Sequence, residues 1–153
     1  MQTGDTVDDF ELSDETGTPR SLSSLLASGP IVLFFYPAAM TKGCTAEACH
    51  FRDVAKDFAE VGAQPVGISS DKVEKQKQFA DKHSLGYPLL ADPAKKVADQ
   101  FGVSRGIGPI KLSMDKRVTF VIGTDRKVLA VIKSETSMEK HADEALAALK
   151  AHA

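Results

Sequence analysis

The stretch Ile31-Val32-Leu33-Phe34-Phe35-Tyr36-Pro37-Ala38-Ala39-Met40-Thr41-Lys42-Gly43-Cys44 decides how the chain is read. Its first five residues are continuously apolar rather than alternating, which fits a central strand covered on both faces. Pro37 cannot donate to a ladder and ends that strand. Beyond Gly43, the residues Ala48, Phe51, Ala55, Phe58 and Ala59 fall at steps of three and four, so a helix follows, with Gly62 as its stop. Thr41 is the N-cap candidate. Cys44 then lies in the first turn, among backbone N–H groups without helical partners and at the positive end of the helix dipole. Thiols so placed can ionise well below the free-cysteine value of about 8.5. Lys42 adds a nearby positive charge and Glu47, one turn on, opposes it. The pattern alone leaves open whether Cys44 is reactive or a small core residue, since free cysteine is among the most buried residue types.

Outward from this stretch the chain alternates strands with helices. On the N-terminal side, residues 7–13 and the turn at 14–19 predict a hairpin or a pair of extended pieces, and residues 21–26 predict one helical turn, broken by Gly29-Pro30. On the C-terminal side, residues 66–68 and 89–91 are short apolar runs of strand type. Asp71 with Glu74 resembles a capping box that opens a helix to about His83. Asp92-Pro93 places an N-cap before proline at the first helical position, and Gly102 ends that helix. Residues 104–116 have no clear period, and Gly106, Gly108 and Pro109 predict irregular structure. Residues 118–122 and 128–132 flank a five-residue turn and read as a hairpin. Thr136 with Glu139 forms a further capping box, before a last helix lined by Met138, Ala142, Ala145, Leu146 and Leu149. The order predicts an α/β fold with a mixed central sheet flanked by helices.

At 153 residues the expectation is a single domain over residues 1–153, large enough to fold without a disulfide or metal staple. The net charge is −2 with scattered basic residues, which excludes a nucleic-acid footprint or a polybasic membrane patch. The longest apolar run, 31–36, is too short to span a bilayer. The first residues carry neither the basic nor the apolar part of a secretory leader, and a cytoplasmic protein with reduced thiols is expected. No cofactor or metal is expected: there is no Cys-x-x-Cys and no histidine pair at helix spacing, and Gly106-x-Gly108 lacks the third glycine of a dinucleotide loop. His50 reads as a helix-surface residue, and His83, His141 and His152 show no partner pattern. The two cysteines, Cys44 and Cys49, are the chemical feature. Five residues of intact helix separate them by a rise of about 7.5 Å and a rotation of about 140°. The side chains point apart, beyond the roughly 7 Å Cα limit for a disulfide. A bridge therefore requires local unwinding, and the pair reads as a switch: reduced and helical, or oxidised and locally unfolded. Arg52, two turns beyond Cys44, is the cation that spacing alone would assign to the thiolate, unless it merely pairs with an acidic neighbour.

The spacing Pro37-x-x-x-Thr41-x-x-Cys44 resembles the peroxiredoxin motif. Cys49, within Gly43-Cys44-Thr45-Ala46-Glu47-Ala48-Cys49, resembles the peroxiredoxin Q branch, also called bacterioferritin comigratory protein. The likeness extends to Gly4-Asp5-x-x-x-x-Phe10, Leu33-Phe34-Phe35-Tyr36-Pro37, Phe51-Arg52-Asp53, Gly67-Ile68-Ser69 and Arg117-x-Thr119-Phe120-Val121-Ile122. It implies a thioredoxin-like fold with an N-terminal β extension. It implies a thiol peroxidase acting on hydrogen peroxide and organic hydroperoxides without flavin, haem or metal. Cys44 would attack the O–O bond and become a sulfenic acid. Cys49 would resolve it, and thioredoxin or a glutaredoxin-like dithiol would recycle the disulfide. Thr41 would hydrogen-bond the thiolate and peroxide, Pro37 would shield the pocket, and Arg117 would match the active-site arginine. A resolving cysteine in the same helix implies a monomer or weak dimer. Two positions depart from the family's usual pattern: Ala38, often lysine, and Lys42, often proline, whose loss eases unwinding of the helix start. Residues 104–116 also depart from it. Two alternatives stand beside the peroxidase. A thiol–disulfide oxidoreductase is disfavoured by the missing Cys-x-x-Cys. A non-catalytic redox sensor, whose unwinding around Cys49 would release or recruit a partner, need not react with peroxide faster than a free thiol.

Overall fold

A computed structural model describes residues 1–107 and 110–152. Gly108 and Pro109, expected to interrupt regular structure, lie outside them. The run Ile31–Phe35 forms strand β3, buried along its whole length, at the centre of a five-stranded sheet. Numbering the N-terminal hairpin strands Glu11–Ser13 and Pro19–Ser21 as β1 and β2, the sheet continues with β4 (Gln64–Ser69), β5 (Leu89–Ala91), β8 (Val118–Ile122) and β9 (Val128–Lys133). The strand order is β5-β4-β3-β8-β9. The β3, β4 and β5 ladders are parallel, whereas β8 runs antiparallel to both β3 and β9. The mixed sheet is therefore as expected.

Alternate residues of β3 serve two cores. Ile31, Leu33 and Phe35 pack with Val66, Ile68 and Phe120 on the face covered by α1 (Leu22–Leu25) and α5 (Lys96–Phe101). Val32, Phe34 and Tyr36 face the other way, toward Cys44, Ala48, Phe51 and Phe58. That second face is covered by α2 (Lys42–Asp53), α3 (Ala55–Glu60), α4 (Val73–His83) and α6 (Met138–Ala151). Phe34 stacks on Phe51 with ring centroids 4.1 Å apart, which pins α2 to the central strand. The expected helix beyond Gly43 is thus two helices, interrupted at Val54, and Gly62 closes them with φ 75°.

The close packing under α2 has a testable consequence at Gly67, in β4. A Cβ there would lie 2.6 Å from Leu89 Cδ2, 3.0 Å from Phe34 Cζ and 3.1 Å from Tyr36 Cε1. Those three side chains are fully buried or nearly so. Gly67→Ala is expected to cost about 1–3 kcal/mol through overpacking. Urea unfolding should show a lower midpoint with an unchanged slope.

Several expected boundaries shift, for reasons visible in the hydrogen bonds. The described part of this segment is not irregular: Ser104–Ile107 (β6) pairs antiparallel with Ile110–Asp115 (β7). An irregular register between Ser104 and Gly106 explains why no period is visible. Asp71 does not cap α4, whose N-cap is Lys72. Its carboxylate turns back and accepts from the Ala39 N–H at 2.6 Å and the Ser69 hydroxyl at 2.7 Å. Ser137, not Thr136, occupies the N-cap of α6. The helix after Asp92 begins only at Lys96, yet the Asp92 carboxylate accepts from the Val97 and Ala98 N–H groups. Ser21 caps α1 through a reciprocal bond with Ser24, so that helical turn is where it was expected.

Candidate active site

The loop from Tyr36 to Thr41 joins β3 to α2 and is held from below by a buried polar network. The Tyr36 hydroxyl donates to Gln76 Oε1, while Gln76 Nε2 donates to Ser69 Oγ at 3.1 Å and to the Leu90 carbonyl at 2.8 Å. Ser69 passes the chain of bonds to Asp71, which holds Ala39. Met40 takes a left-handed φ of 68°, a conformation costly for a side chain of its size and tolerated where the surroundings fix it. This frame delivers Thr41 to the N-cap of α2. Its side chain makes no capping bond; the hydroxyl donates to the Ala38 carbonyl at 2.8 Å. The first-turn N–H groups therefore lack a side-chain cap, and Cys44, 1 % exposed, sits among them.

Arg117 reaches this point through the sheet. The β3–β8 register pairs Phe35 with Val118, so the residue before Val118 lies at the end of β3 where α2 begins. Its Nη2 donates to Cys44 Sγ at 3.4 Å and its Nη1 to Glu47 Oε1 at 2.8 Å. Gly43 leaves room for it: a Cβ there would lie 3.2 Å from Arg117 Nη2. Burial alone would weaken the guanidinium's hold on its proton, but Glu47 and Cys44 outweigh it and raise its pKa above the ordinary value. Glu47 is fully buried, and burial pushes its carboxyl from 4.5 up to about 8 against the pull of Arg117. Its second oxygen faces His141 Nδ1 at 3.6 Å. His141 is also fully buried; burial lowers its pKa, although the Ser134 carbonyl pulls the other way.

The structure therefore brings Cys44, Thr41, Pro37 and Arg117 to one end of the sheet. Arg52 is not among them. It pairs with Asp53 and donates to the His83 carbonyl at 2.7 Å, so the acidic-neighbour reading of it holds. The sequence reading set Glu47 against the thiolate and gave His141 no partner, so neither was a candidate for the site. Glu47 is three residues beyond Cys44, on the same buried stripe of α2, where a carboxylate demands a buried cation. His141 shares the stripe of Ala142, Ala145 and Leu149 in α6, which marks it as internal. Cys49 is half-buried in the same unbroken helix and unbridged, beside a groove lined by His50, Asp53, Ser137 and Met138. His50 pairs across to Asp143 at 2.9 Å, tying α2 to α6 at the surface.

The profile of the AhpC/TSA family matches residues 3–131. The chain belongs to that family and is a peroxiredoxin. A curated peroxiredoxin of Mycobacterium tuberculosis strain H37Rv is 66 % identical over 151 residues, covering 99 % of this chain and 97 % of that protein. Chloroplastic peroxiredoxin Q of Sedum lineare is 40 % identical over 147 residues, covering 96 % and 77 %. The crystal structure of peroxidoxin BcpB from Mycobacterium tuberculosis superposes with a TM-score of 0.94 at 65 % identity, covering 99 % and 97 %. These likenesses place the chain in the peroxiredoxin Q branch and give it the thioredoxin-like peroxiredoxin fold. The peroxiredoxin is accordingly a thiol peroxidase, an enzyme whose family acts on a peroxide and a thiol reductant. Among the described residues no helix is long and apolar enough to cross a membrane.

Proposed function

We propose that Cys44 is the attacking thiolate, and that the peroxiredoxin reduces hydrogen peroxide and organic hydroperoxides through it. The observation that carries this reading is the fixed cation: Arg117 Nη2 stands 3.4 Å from Sγ, where it stabilises both thiolate and departing oxygen. The sulfur attacks the distal peroxide oxygen, the O–O bond breaks, and the departing oxygen takes a proton to leave as water or an alcohol. Cys44 becomes a sulfenic acid. The Cys49 thiol then displaces water from it and forms the Cys44–Cys49 disulfide. An external dithiol, thioredoxin or a glutaredoxin-like protein, returns both thiols by exchange and is itself oxidised. Pro37 shields the sulfur from water, and Thr41 turns its hydroxyl from Ala38 toward sulfur and peroxide when substrate enters. We place the chain as one domain in the cytoplasm, working as a monomer or weak dimer because resolution needs no second subunit.

Cys49→Ser separates the two half-reactions. This variant is expected to consume one equivalent of peroxide per chain and then stall, with multiple turnover by thioredoxin lost. Stopped-flow mixing of the reduced wild-type protein with hydrogen peroxide tests the first step: a rate constant orders of magnitude above that of free cysteine supports the enzyme. A rate equal to free cysteine favours the sensor.

A further inference from the structure

The peroxidase reading asks Thr41 to present its hydroxyl to sulfur and peroxide, yet α2 does not hold that hydroxyl, which makes no capping bond. Among the described residues its partner is the Ala38 carbonyl, at 2.8 Å. That carbonyl and the Ala39 N–H are the two ends of one planar trans peptide unit, so they point in opposite directions and turn together. The Ala39 N–H donates to Asp71 Oδ2 at 2.6 Å. Asp71, just beyond β4, thus fixes a plane whose far end holds Thr41.

The Asp71 carboxylate is in turn aimed from the core. The Leu90 carbonyl can only accept, so Gln76 Nε2, 2.8 Å away, donates to it and sends its second hydrogen to Ser69 Oγ at 3.1 Å. Ser69 Oγ also accepts from the Asp71 N–H at 3.3 Å. Both of its lone pairs are then occupied, and its single hydrogen goes to Asp71 Oδ2 at 2.7 Å. Ser69 and Gln76 are fully buried, so this chain of bonds has one direction. Between Ala39 and Thr41 lies Met40, at a φ of 68°. A left-handed φ at such a side chain persists only where the surroundings over-determine it. Here Asp71 holds the residue before it, and the Thr41 carbonyl after it accepts from the Thr45 N–H at 2.8 Å.

We propose that Asp71 is a positioning residue for peroxide reduction: through the peptide between Ala38 and Ala39 it places the Thr41 hydroxyl for the substrate. It acts through Thr41 rather than on sulfur or peroxide. This rests on the reading of Cys44 as the attacking thiolate and of Thr41 as its substrate-facing partner. Misplacing a positioning group by about 1 Å costs about 10²-fold in rate. Asp71→Ala is therefore expected to lower the rate constant with hydrogen peroxide by about 10–100-fold.

Single-turnover stopped-flow in the Cys49→Ser background, where Cys44 is the one thiol, reads this loss. Asp71→Asn keeps an oxygen that accepts from the Ala39 N–H and should recover the rate to within about threefold of the parent. Alkylation of Cys44 by iodoacetamide needs the thiolate but no bound peroxide, so Asp71→Ala should slow it by less than about threefold. A double-mutant cycle shows whether Asp71 acts through Thr41. Once Thr41→Val has removed the hydroxyl, Asp71→Ala should slow peroxide reduction by no more than about threefold further. A merely structural role predicts the opposite, and each such result would overturn the proposal: the full loss repeated in the Thr41→Val background, alkylation slowed as much as peroxide reduction, or no rescue by Asp71→Asn. So would an Asp71→Ala rate equal to that of the parent. Hydrogen exchange at the Ala39 amide, followed by NMR, needs no turnover and should quicken at least about tenfold in Asp71→Ala. A parent protein that reacts with peroxide no faster than free cysteine would overturn the peroxidase reading. Ala39 exchange that Asp71→Ala leaves unchanged would instead overturn the hold of Asp71 on the loop.

Discussion

Replacing Cys44 with serine is expected to reduce peroxide turnover to the level of buffer alone. The nucleophile must be an anion that is polarisable enough to attack oxygen, and a serine hydroxyl is not ionised anywhere near neutral pH. The exchange conserves shape in a fully packed position, and the new hydroxyl can still accept from Arg117 Nη2 in place of sulfur. Stability should therefore change by no more than about 1 kcal/mol. Coupled peroxide-consumption assays and urea unfolding on the same sample separate lost chemistry from lost fold. Retention of full activity by Cys44→Ser would mean that another group attacks the peroxide.

The second large effect is expected at Arg117. Arg117→Ala removes the donor to sulfur and the partner of a fully buried carboxylate in one step. Loss of one preorganised charge donor at a developing anion lowers rates by about 10²–10³. Breaking a buried pair by removing one partner costs about 3–5 kcal/mol where the charge left behind cannot be neutralised. Glu47 can be neutralised. Its carboxyl is already raised to about 8 with Arg117 present, and without that cation it holds its proton still more tightly. The stability loss should thus fall at or below the lower end of that range near neutral pH. It should grow as the pH climbs past about 8, where the variant must keep a protonated acid that the unfolded chain releases. Rate measurements with the reduced protein and urea titrations at two pH values check both halves. A variant with the wild-type rate would remove Arg117 from the site.

The candidate site was legible in the sequence where its members are neighbours. Ile31–Phe35, the stop at Pro37, Thr41 at the N-cap and Cys44 in the first turn all follow from local pattern, and each lies where expected. Arg117 is different. It is brought to Cys44 only by the antiparallel register of β8 on β3, a long-range pairing that periodicity does not reveal. Resemblance alone pointed to it, and local spacing pointed to Arg52 instead. Glu47 was misread because a charged residue on a helix is ordinarily solvated, so its charge was set against the thiolate rather than paired with a cation. The capping boxes at Asp71 and Thr136 failed for a related reason. Asp71 serves a partner on another element, the Ala39 N–H, and a sequence shows only neighbours along the chain.

The same geometry sharpens what the proposed resolution by Cys49 demands. Cys44 and Cys49 lie on one unbroken helix, so the disulfide cannot form until part of α2 unwinds. The helix is already interrupted at Val54, which leaves only the short stretch from Cys49 to Asp53 to release. Its surface tie, His50 to Asp143, is partly exposed and of the kind that contributes about 0–1 kcal/mol. The firmer anchors are the stack of Phe51 on Phe34 and the bond from the Tyr87 hydroxyl to the Ala48 carbonyl at 2.7 Å. Glu47 and Arg117 lie on the Cys44 side of this stretch, so the Cys44 half can stay in place while the Cys49 half moves.

Peptide mapping by mass spectrometry, after reduced protein meets one equivalent of hydrogen peroxide, most directly tests whether Cys44 and Cys49 form one redox unit. The predicted product is a single intramolecular Cys44–Cys49 disulfide in a monomeric chain, formed at a rate that follows peroxide consumption. Accumulation of Cys44 sulfenic acid with Cys49 still a free thiol, or a disulfide found only between two chains, would contradict it.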